Sequence, residues 1–458
     1  MNRQGHEERC PSSTPKKTLT LFDSTCLIVG IIVGAGIFET APYVARSGGS
    51  AAALFALWIV GGLLSLAGAL CYAELATAYP REGGDYVYLT RAYGRWAGFL
   101  FGWIQLVIVR PGDIALMAFV FARYGASLLA PGADLEQGAG LVLMLMLACE
   151  AVLVLSAINV VGVRQGKWTQ NTLTVVKILG VAVILVAAVF ADGPVGPAKL
   201  APPATDEHSP GLLLIFMLAL IRVLFTYGGW NEMAYVAAEV KRPERNILRA
   251  LVLGTVGVTG LYLLMNAAFL HTLGLGGMAR SEAIGMDVGE AIFPRWGGRF
   301  VAALICIAAL GALNGLVFAG ARIPYALGTE HRLFKPLGRW NAATGTPVWA
   351  LAVQALLAVA LIIGFGSFAE TILYTAAPVY CFYLGTSLAV IVLRRRKPDV
   401  PRPYRVTGYP IVPLVFAACC GLLIYSALCY KPLEAGISMA ILLAGLPIYW
   451  LSTYLGRD

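Results

Sequence analysis

The sequence predicts an all-α membrane protein of twelve transmembrane helices, arranged as two inverted five-span repeats in which helices 1 and 6 are broken in mid-membrane. Three observations carry this. Of 458 residues, 59% are hydrophobic and 13% charged, and the mean hydropathy is +0.75, far too apolar for a soluble chain of this size. Apolar runs long enough to cross roughly 30 Å of hydrocarbon fall at 20–46, 50–78, 96–128, 139–160, 167–191, 210–240, 246–272, 297–328, 346–364, 368–395, 409–428 and 435–455. Two of these runs are interrupted by glycine-rich breaks, Gly34-Ala35-Gly36-Ile37-Phe38 and Tyr227-Gly228-Gly229-Trp230-Asn231.

Residues 1–18 are polar and carry Lys16 and Lys17 at the membrane edge, so no cleavable leader is expected and this tail stays cytoplasmic. Spans 1–5 form repeat one over 19–192, a Pro-rich outer loop follows at 193–209, and spans 6–10 form repeat two over 210–397. Residues 398–458 supply peripheral spans 11 and 12 and a short cytoplasmic tail. An odd number of spans per repeat forces opposite orientations, which puts the two breaks in corresponding positions. In a bilayer a helix unwinds only where its freed N–H and C=O groups find other partners, so paired breaks point to a substrate site between them. The alternative is that Gly30 and Gly34 form a GxxxG packing face and that Gly228-Gly229 marks a loop. Between spans 2 and 3, Pro80-Arg81-Glu82-Gly83-Gly84-Asp85-Tyr86 leads into a short interfacial helix ending near Arg95. The outer stretch Gly274 to Arg299 is long for a connection and is expected to fold over the extracellular mouth.

The net charge of +9 does not indicate nucleic acid. With the amino terminus inside, roughly 24 of the Lys and Arg fall in inner loops and tails and only about 6 in outer loops. Arg46, Arg110, Lys177 and Arg222 remain within spans. The run Arg394-Arg395-Arg396-Lys397 would face anionic cytoplasmic lipid. Both termini are thus expected in the cytoplasm, with the chain integral to the plasma membrane.

Enzymatic chemistry is missing from the sequence. His6, His208, His271 and His331 lie in tails, loops or span ends, which leaves no intramembrane ligand set for haem or a catalytic metal. There is no GxxxxGK[ST] phosphate loop and no GxSxG elbow. The nine cysteines suggest neither a disulfide framework nor a metal site. No cofactor is expected, and transport must be driven by a gradient or an exchanged solute.

Several ordered motifs then carry a resemblance. Gly34-Ala35-Gly36-Ile37-Phe38 resembles the G-[ST]-G-I-F signature of amino acid transporters. Cys71-Tyr72-Ala73-Glu74-Leu75, Gly83-Gly84-Asp85-Tyr86, Arg110-Pro111, Phe225-Thr226-Tyr227-Gly228-Gly229-Trp230-Asn231, Leu313-Asn314-Gly315 and Arg395-Arg396-Lys397-Pro398 resemble the L-type amino acid transporter light chains. The likeness runs from about residue 20 to 455 and implies the amino acid, polyamine and organocation superfamily, with its leucine-transporter-like inverted repeat.

The resemblance assigns substrate binding to Val33, Gly34, Ala35, Gly36, Ile37, Phe225, Thr226, Gly228, Trp230 and Asn231. Physics agrees in outline: unpaired N–H groups around Ala35 and Gly36 suit the substrate carboxylate, and carbonyls near Phe225 and Thr226 suit its ammonium. Phe225 corresponds to the family's aromatic gate, although a Phe in a span can equally be ordinary packing. Lys177, in span 5, costs roughly 2.5 to 3.5 kcal/mol to insert and so should have a use. In sodium-independent relatives this lysine takes the place of a sodium ion and bridges spans 1 and 8, a coupling role. The bland alternative is a buried ion pair with Glu150 of span 4.

The departures matter too. Where the family commonly has serines in span 8, this chain has Gly311, Ala312 and Leu316, leaving the partner of Lys177 open. Asp113 stands where the family's pocket carries a small hydroxyl, and Arg222 precedes the second break by about one turn. Arg110 and Asp113 could pair along their helix, or Asp113 and Arg222 could pair across the pocket or meet a charged substrate. With both signs present, neutral L-amino acids are the default. The light chains bond a heavy chain through a cysteine in the loop between spans 3 and 4, and Pro131 to Gly138 has none. A stand-alone prokaryotic carrier of the inner membrane is expected, with amino acid substrates and the lipid bilayer as its partners and no disulfide-linked heavy chain.

The leading expectation is therefore sodium-independent amino acid exchange. Proton-coupled uptake, amine or polyamine exchange, and a non-transporting amino acid sensor stand as alternatives.

Overall fold

The computed structural model describes residues 15–135, 137–191, 193, 212–365, 371–430 and 432–454. The first fourteen residues, with Cys10, and the prolines of the outer loop lie outside them. Every regular element among the described residues is helical, apart from two isolated β-bridges. The first span is α1 (Leu21–Ile32) and α2 (Gly36–Gly48), bent by 48° at the first break. A capping box starts α1: the Asp23 N–H donates to Thr20 Oγ1 at 3.2 Å and the Thr20 N–H to Asp23 Oδ2 at 2.9 Å. There follow α3 (Ala51–Ala78), α4 (Asp85–Tyr93), α5 (Arg95–Ile104), α6 (Arg110–Leu129), α7 (Gly138–Val161) and α8 (Val163–Val189). The second half holds α9 (Leu212–Thr226), α10 (Pro243–Arg280), α11 (Ile284–Ile292), α12 (Gly297–Gly320), α13 (Arg322–Glu330), α14 (Val348–Phe365), α15 (Thr371–Arg396), α16 (Ile411–Tyr430) and α17 (Pro432–Tyr454).

Nine described helices or helix pairs are long and apolar enough to cross a membrane, and the bent α1–α2 pair makes ten; Ile215–Thr226 and Val348–Gly364 are shorter apolar helices. The arrangement puts the site at the centre. The apolar window of the α12–α13 span is 78% buried in protein, whereas those of α7 and α8 are 28% buried and face outward. α12 packs against α6, α8 and α1.

Three local outcomes differ from the sequence expectation. The third span is not one regular helix, because residues Gln105–Val109 widen into a π-turn between α5 and α6. Pro111, which has no N–H to close an α-turn, sits just beyond it. The inner half of the sixth span is two 3-10 turns, Glu232–Ala234 and Ala237–Glu239, where a helix was expected. The segment after span 2 forms α4, but its Asp85, Tyr86, Tyr88 and Leu89 are buried in the body, so it is not a surface helix. Over the outer stretch, α10 continues through a kink at Gly274 (φ 67°) and α11 packs on α2, with Gly285 against Phe38.

Candidate functional site

The two helix breaks touch. A Cβ on Gly36 would meet Thr226 Cγ2 at 3.2 Å, and one on Gly229 (φ 111°) would meet Ile31 Cγ2 at 2.4 Å, so glycine permits both the approach and, at 229, the backbone turn. Thr226 Oγ1 lies 2.7 Å from Thr40 Oγ1, joining α9 to α2. From α10, the Tyr262 hydroxyl reaches the carbonyls of Ile32 (2.6 Å) and Thr226 (3.2 Å), at the ends of both half-helices.

Between the breaks lies a cavity of about 130 Å³. Gly34 and Gly36 line it from one side, Phe225, Thr226, Gly228 and Asn231 from the other. Gln105, Arg110 and Asp113 approach from the third span, and Tyr380 and Tyr383 from α15. Among the described residues, the N–H groups of Ala35, Gly36 and Ile37 have no backbone acceptor, as befits the first turn of α2. The carbonyls of Ile31 and Leu224, both cavity-lining residues, receive no backbone donor. An anionic group beside the α2 N-terminus and a cationic group beside these carbonyls would each find complementary partial charge.

This arrangement refines the sequence assignment. Phe225 is half-buried at the wall, where a gate would stand. The Phe225 and Thr226 carbonyls expected to face an ammonium already accept bonds, from the Gly228 N–H (2.8 Å) and from Tyr262. Val33, Ala35 and Ile37 are buried and do not line the cavity. Trp230 also fails to wall it: its ring is 3% exposed and packs edge-on to Tyr72 (5.0 Å) and against Tyr383 (5.3 Å). The GxxxG alternative holds for Gly30 alone, which lies against Gln170 and Thr174 of α8, while Gly34 faces the cavity.

Lys177 is fully buried, and its Nζ donates to the carbonyls of Gly30 (2.7 Å), Val33 (2.9 Å) and Ala308 (3.3 Å). It therefore bridges α1 and α12 through main-chain oxygens, with no carboxylate of the described residues involved. Glu150 is not its partner, because that side chain is exposed on the outward face of α7.

The buried charges pair differently from either expected arrangement. Arg110 Nη1 donates to Glu232 Oε1 at 3.0 Å, with both side chains at least 94% buried. Arg110 Nε, Glu232 Oε2 and Gln105 Oε1 have no hydrogen-bond partner among the described residues. Asp113 is without an ion-pair or hydrogen-bond partner among the described residues and faces the cavity. Arg222 points elsewhere: it is exposed, with its guanidinium 4.0 Å above the Tyr43 ring. Its charge does not cancel that of Asp113 across the pocket. The sequence reading missed Glu232, Gln105 and Tyr262, although a carboxylate following Asn231 within an apolar span was itself a signal. No group of three His, Cys, Asp or Glu side chains suited to a metal occurs among the described residues.

The family model for amino acid permease matches residues 19–451. The serine/threonine exchanger SteT of Bacillus subtilis (strain 168) is 32% identical over 95% of this chain and 96% of its own length. The large neutral amino acids transporter small subunit 2 of Oryctolagus cuniculus is 32% identical over 96% and 81% respectively. The b(0,+)-type amino acid transporter 1 of Mus musculus is 29% identical over 99% and 93%.

Proposed function

The chain belongs to the amino acid permease family, and from that premise we propose that it exchanges L-amino acids across the membrane without sodium, by alternating access around the cavity between its two helix breaks. It is an integral membrane amino acid transporter and not an enzyme. The observation that carries the finer reading is Lys177. Its amino group, held by carbonyls of α1 and α12, places a tethered side chain where a sodium-coupled carrier of such a fold would need an exchangeable ion. The α2 N-terminus, with the N–H groups of Gly36 and its neighbours, would bind the substrate carboxylate, the Ile31 and Leu224 carbonyls its ammonium, and Phe225 would close over it.

The remaining organisation follows the same reading. On this reading the two shorter apolar helices join the ten longer spans as a twelve-span chain, with spans 1–5 in a repeat over 19–192, spans 6–10 in a repeat over 210–397, spans 11 and 12 outside the repeats, and both termini cytoplasmic in a plasma membrane. Relatives named for serine and threonine or for large neutral amino acids favour neutral substrates, and a disulfide-linked heavy chain is not required. Proton coupling is the second reading, favoured by the absence of any carboxylate against Lys177 among the described residues.

Uptake of a radiolabelled amino acid panel into proteoliposomes tests this, with and without internal amino acid, in sodium-free buffer, and with a pH gradient imposed separately. Uptake that requires internal amino acid and ignores the pH gradient is expected. Accumulation in empty vesicles driven by the pH gradient would replace exchange with symport, and substrate binding without flux would make the chain a sensor.

A further inference from the structure

We propose that a basic cavity at the cytoplasmic end of α8, separate from the substrate cavity, binds the phosphate-bearing headgroup of an anionic membrane lipid. It has a volume of about 490 Å³ and is walled by Lys16, Lys17, Arg164, Lys167, Lys241 and Trp168, with Glu239 among its other lining residues. The cytoplasmic placement rests on the charge distribution of the chain.

The charges in this cavity do not balance. Lys167 is committed, with its Nζ 3.0 Å from Asp23 Oδ2 and bonded to the Thr18 carbonyl at 3.4 Å. Glu239 is committed too, since both its oxygens accept from Arg322, at 2.8 and 3.1 Å. That leaves Lys16, Lys17, Arg164 and Lys241 with no ion-pair partner among the described residues, all lining one concavity. Converging cations with no counter-charge repel one another, and a multivalent anion relieves that repulsion.

The setting identifies the source of the anion. Trp168, on the rim, is 60% exposed and stands on the same face of α8 as Val175, Val176 and Leu179, which are 42%, 42% and 62% exposed. Residues 168, 175 and 179 are seven and eleven positions apart, which returns nearly to the same angle at 3.6 residues per turn. The cavity therefore opens where an apolar, outward-facing helix surface meets an indole at interfacial depth. Acyl chains can lie along α8 while the headgroup enters the basic cavity, an arrangement in which four to eight basic groups read as an anionic-lipid site. A soluble phosphate would have no use for the apolar half.

The walls also join parts that move relative to one another in alternating access. The Thr18 and Leu19 N–H groups donate to the Glu239 carbonyl at 2.8 and 2.9 Å, and the Lys241 N–H to the Leu19 carbonyl at 2.8 Å. The inner ends of both broken spans thus meet here, against α8, and a bound headgroup would fasten them together.

The test is native mass spectrometry of the full chain in detergent, offered equimolar dioleoyl phosphatidylglycerol and dioleoyl phosphatidylcholine. Preferential retention of the phosphatidylglycerol is expected. The Lys16→Gln/Lys17→Gln/Arg164→Gln variant should lose affinity for it by roughly fivefold per residue, on the order of a hundredfold in all. Arg295→Gln/Arg299→Gln, at exposed positions of the outer stretch, should change retention little. Equal retention of the two lipids, or the same loss from both variants, would overturn the site. Thermal stabilisation by millimolar inorganic phosphate that equals that by phosphatidylglycerol, and that the triple variant abolishes, would overturn the lipid as its source.

Discussion

Gly311 lies directly against the ammonium of Lys177: a Cβ at 311 would stand 2.7 Å from Nζ and 2.9 Å from Cε. The absence of a hydroxyl in this part of α12 is thus accounted for, since the lysine end occupies the space and takes a main-chain oxygen, that of Ala308, as its partner. Gly311→Ala should push Nζ away from the three carbonyls. Hydrogen bonds to a charged group are worth about 1.5 to 3 kcal/mol each, so amino acid transport should fall about tenfold or more while the protein still inserts. Lys177→Ala should abolish transport altogether. Proteoliposome flux comparable to wild type in either variant would refute the bridging role.

The Arg110–Glu232 pair links the π-turned third span to the second break. Removing one partner leaves a buried charge uncompensated, at a cost of about 3 to 5 kcal/mol, whereas removing both need not. Arg110→Met and Glu232→Gln should each lower the melting temperature strongly, and the double variant should recover much of the loss. Thermal unfolding of the four proteins forms a double-mutant cycle. Additive losses would mean that the two charges act independently.

What could be read from the sequence follows the regularity of the backbone. The helices and both breaks rest on apolar run length and glycine chemistry, while the bridging position of Lys177 and the cavity position of Gly34, Gly36 and Phe225 are what the family resemblance implies, and all of them appear in the structure. Assignments failed where the period fails. Within the second break no constant angle relates neighbouring residues, so spacing could not tell that Trp230 packs away while Asn231 and Glu232 turn inward. The π-turn before Arg110 likewise shifts the phase of α6 against α5, so a constant period through the third span could not place Arg110 opposite Glu232. Arg222 was expected at the pocket, but it lies outside on Tyr43.

Among the described residues Asp113 is the one cavity-lining carboxylate without an ion-pair or hydrogen-bond partner, and Arg110 is held by Glu232. The acidic and basic side chains among its lining residues, Arg110, Asp113 and Glu232, sum to a formal charge of −1 when ionised. An acidic substrate side chain is therefore repelled. In Asp113→Asn the ratio of glutamate to lysine inhibition constants should move about tenfold in favour of glutamate, measured by competition against labelled substrate. An unchanged ratio would show that Asp113 does not meet the substrate side chain.

Asp85 opens α4, between spans 2 and 3, and is wholly buried. The hydroxyls of Tyr72 and Thr386 donate to it, as does that of Tyr235 at 3.1 Å, and Tyr235 in turn accepts from Asn231 Nδ2 (2.7 Å) at the cavity wall. Burial pushes the Asp85 carboxyl up to about 6, against the pull of those three hydrogen bonds. Unfolded, the group titrates near 4, so between about pH 4 and 6 the folded state binds more protons. Its contribution to stability is therefore fully present below about pH 4 and declines as pH rises to 6, by at most about 3 kcal/mol. Other carboxylates titrate in the same window, so the informative quantity is the melting temperature of wild type minus that of Asp85→Asn. The difference should decrease from pH 4 to 6 and level off above. A difference that grows with pH would mean that the hydrogen bonds outweigh burial and that Asp85 is held as a carboxylate throughout.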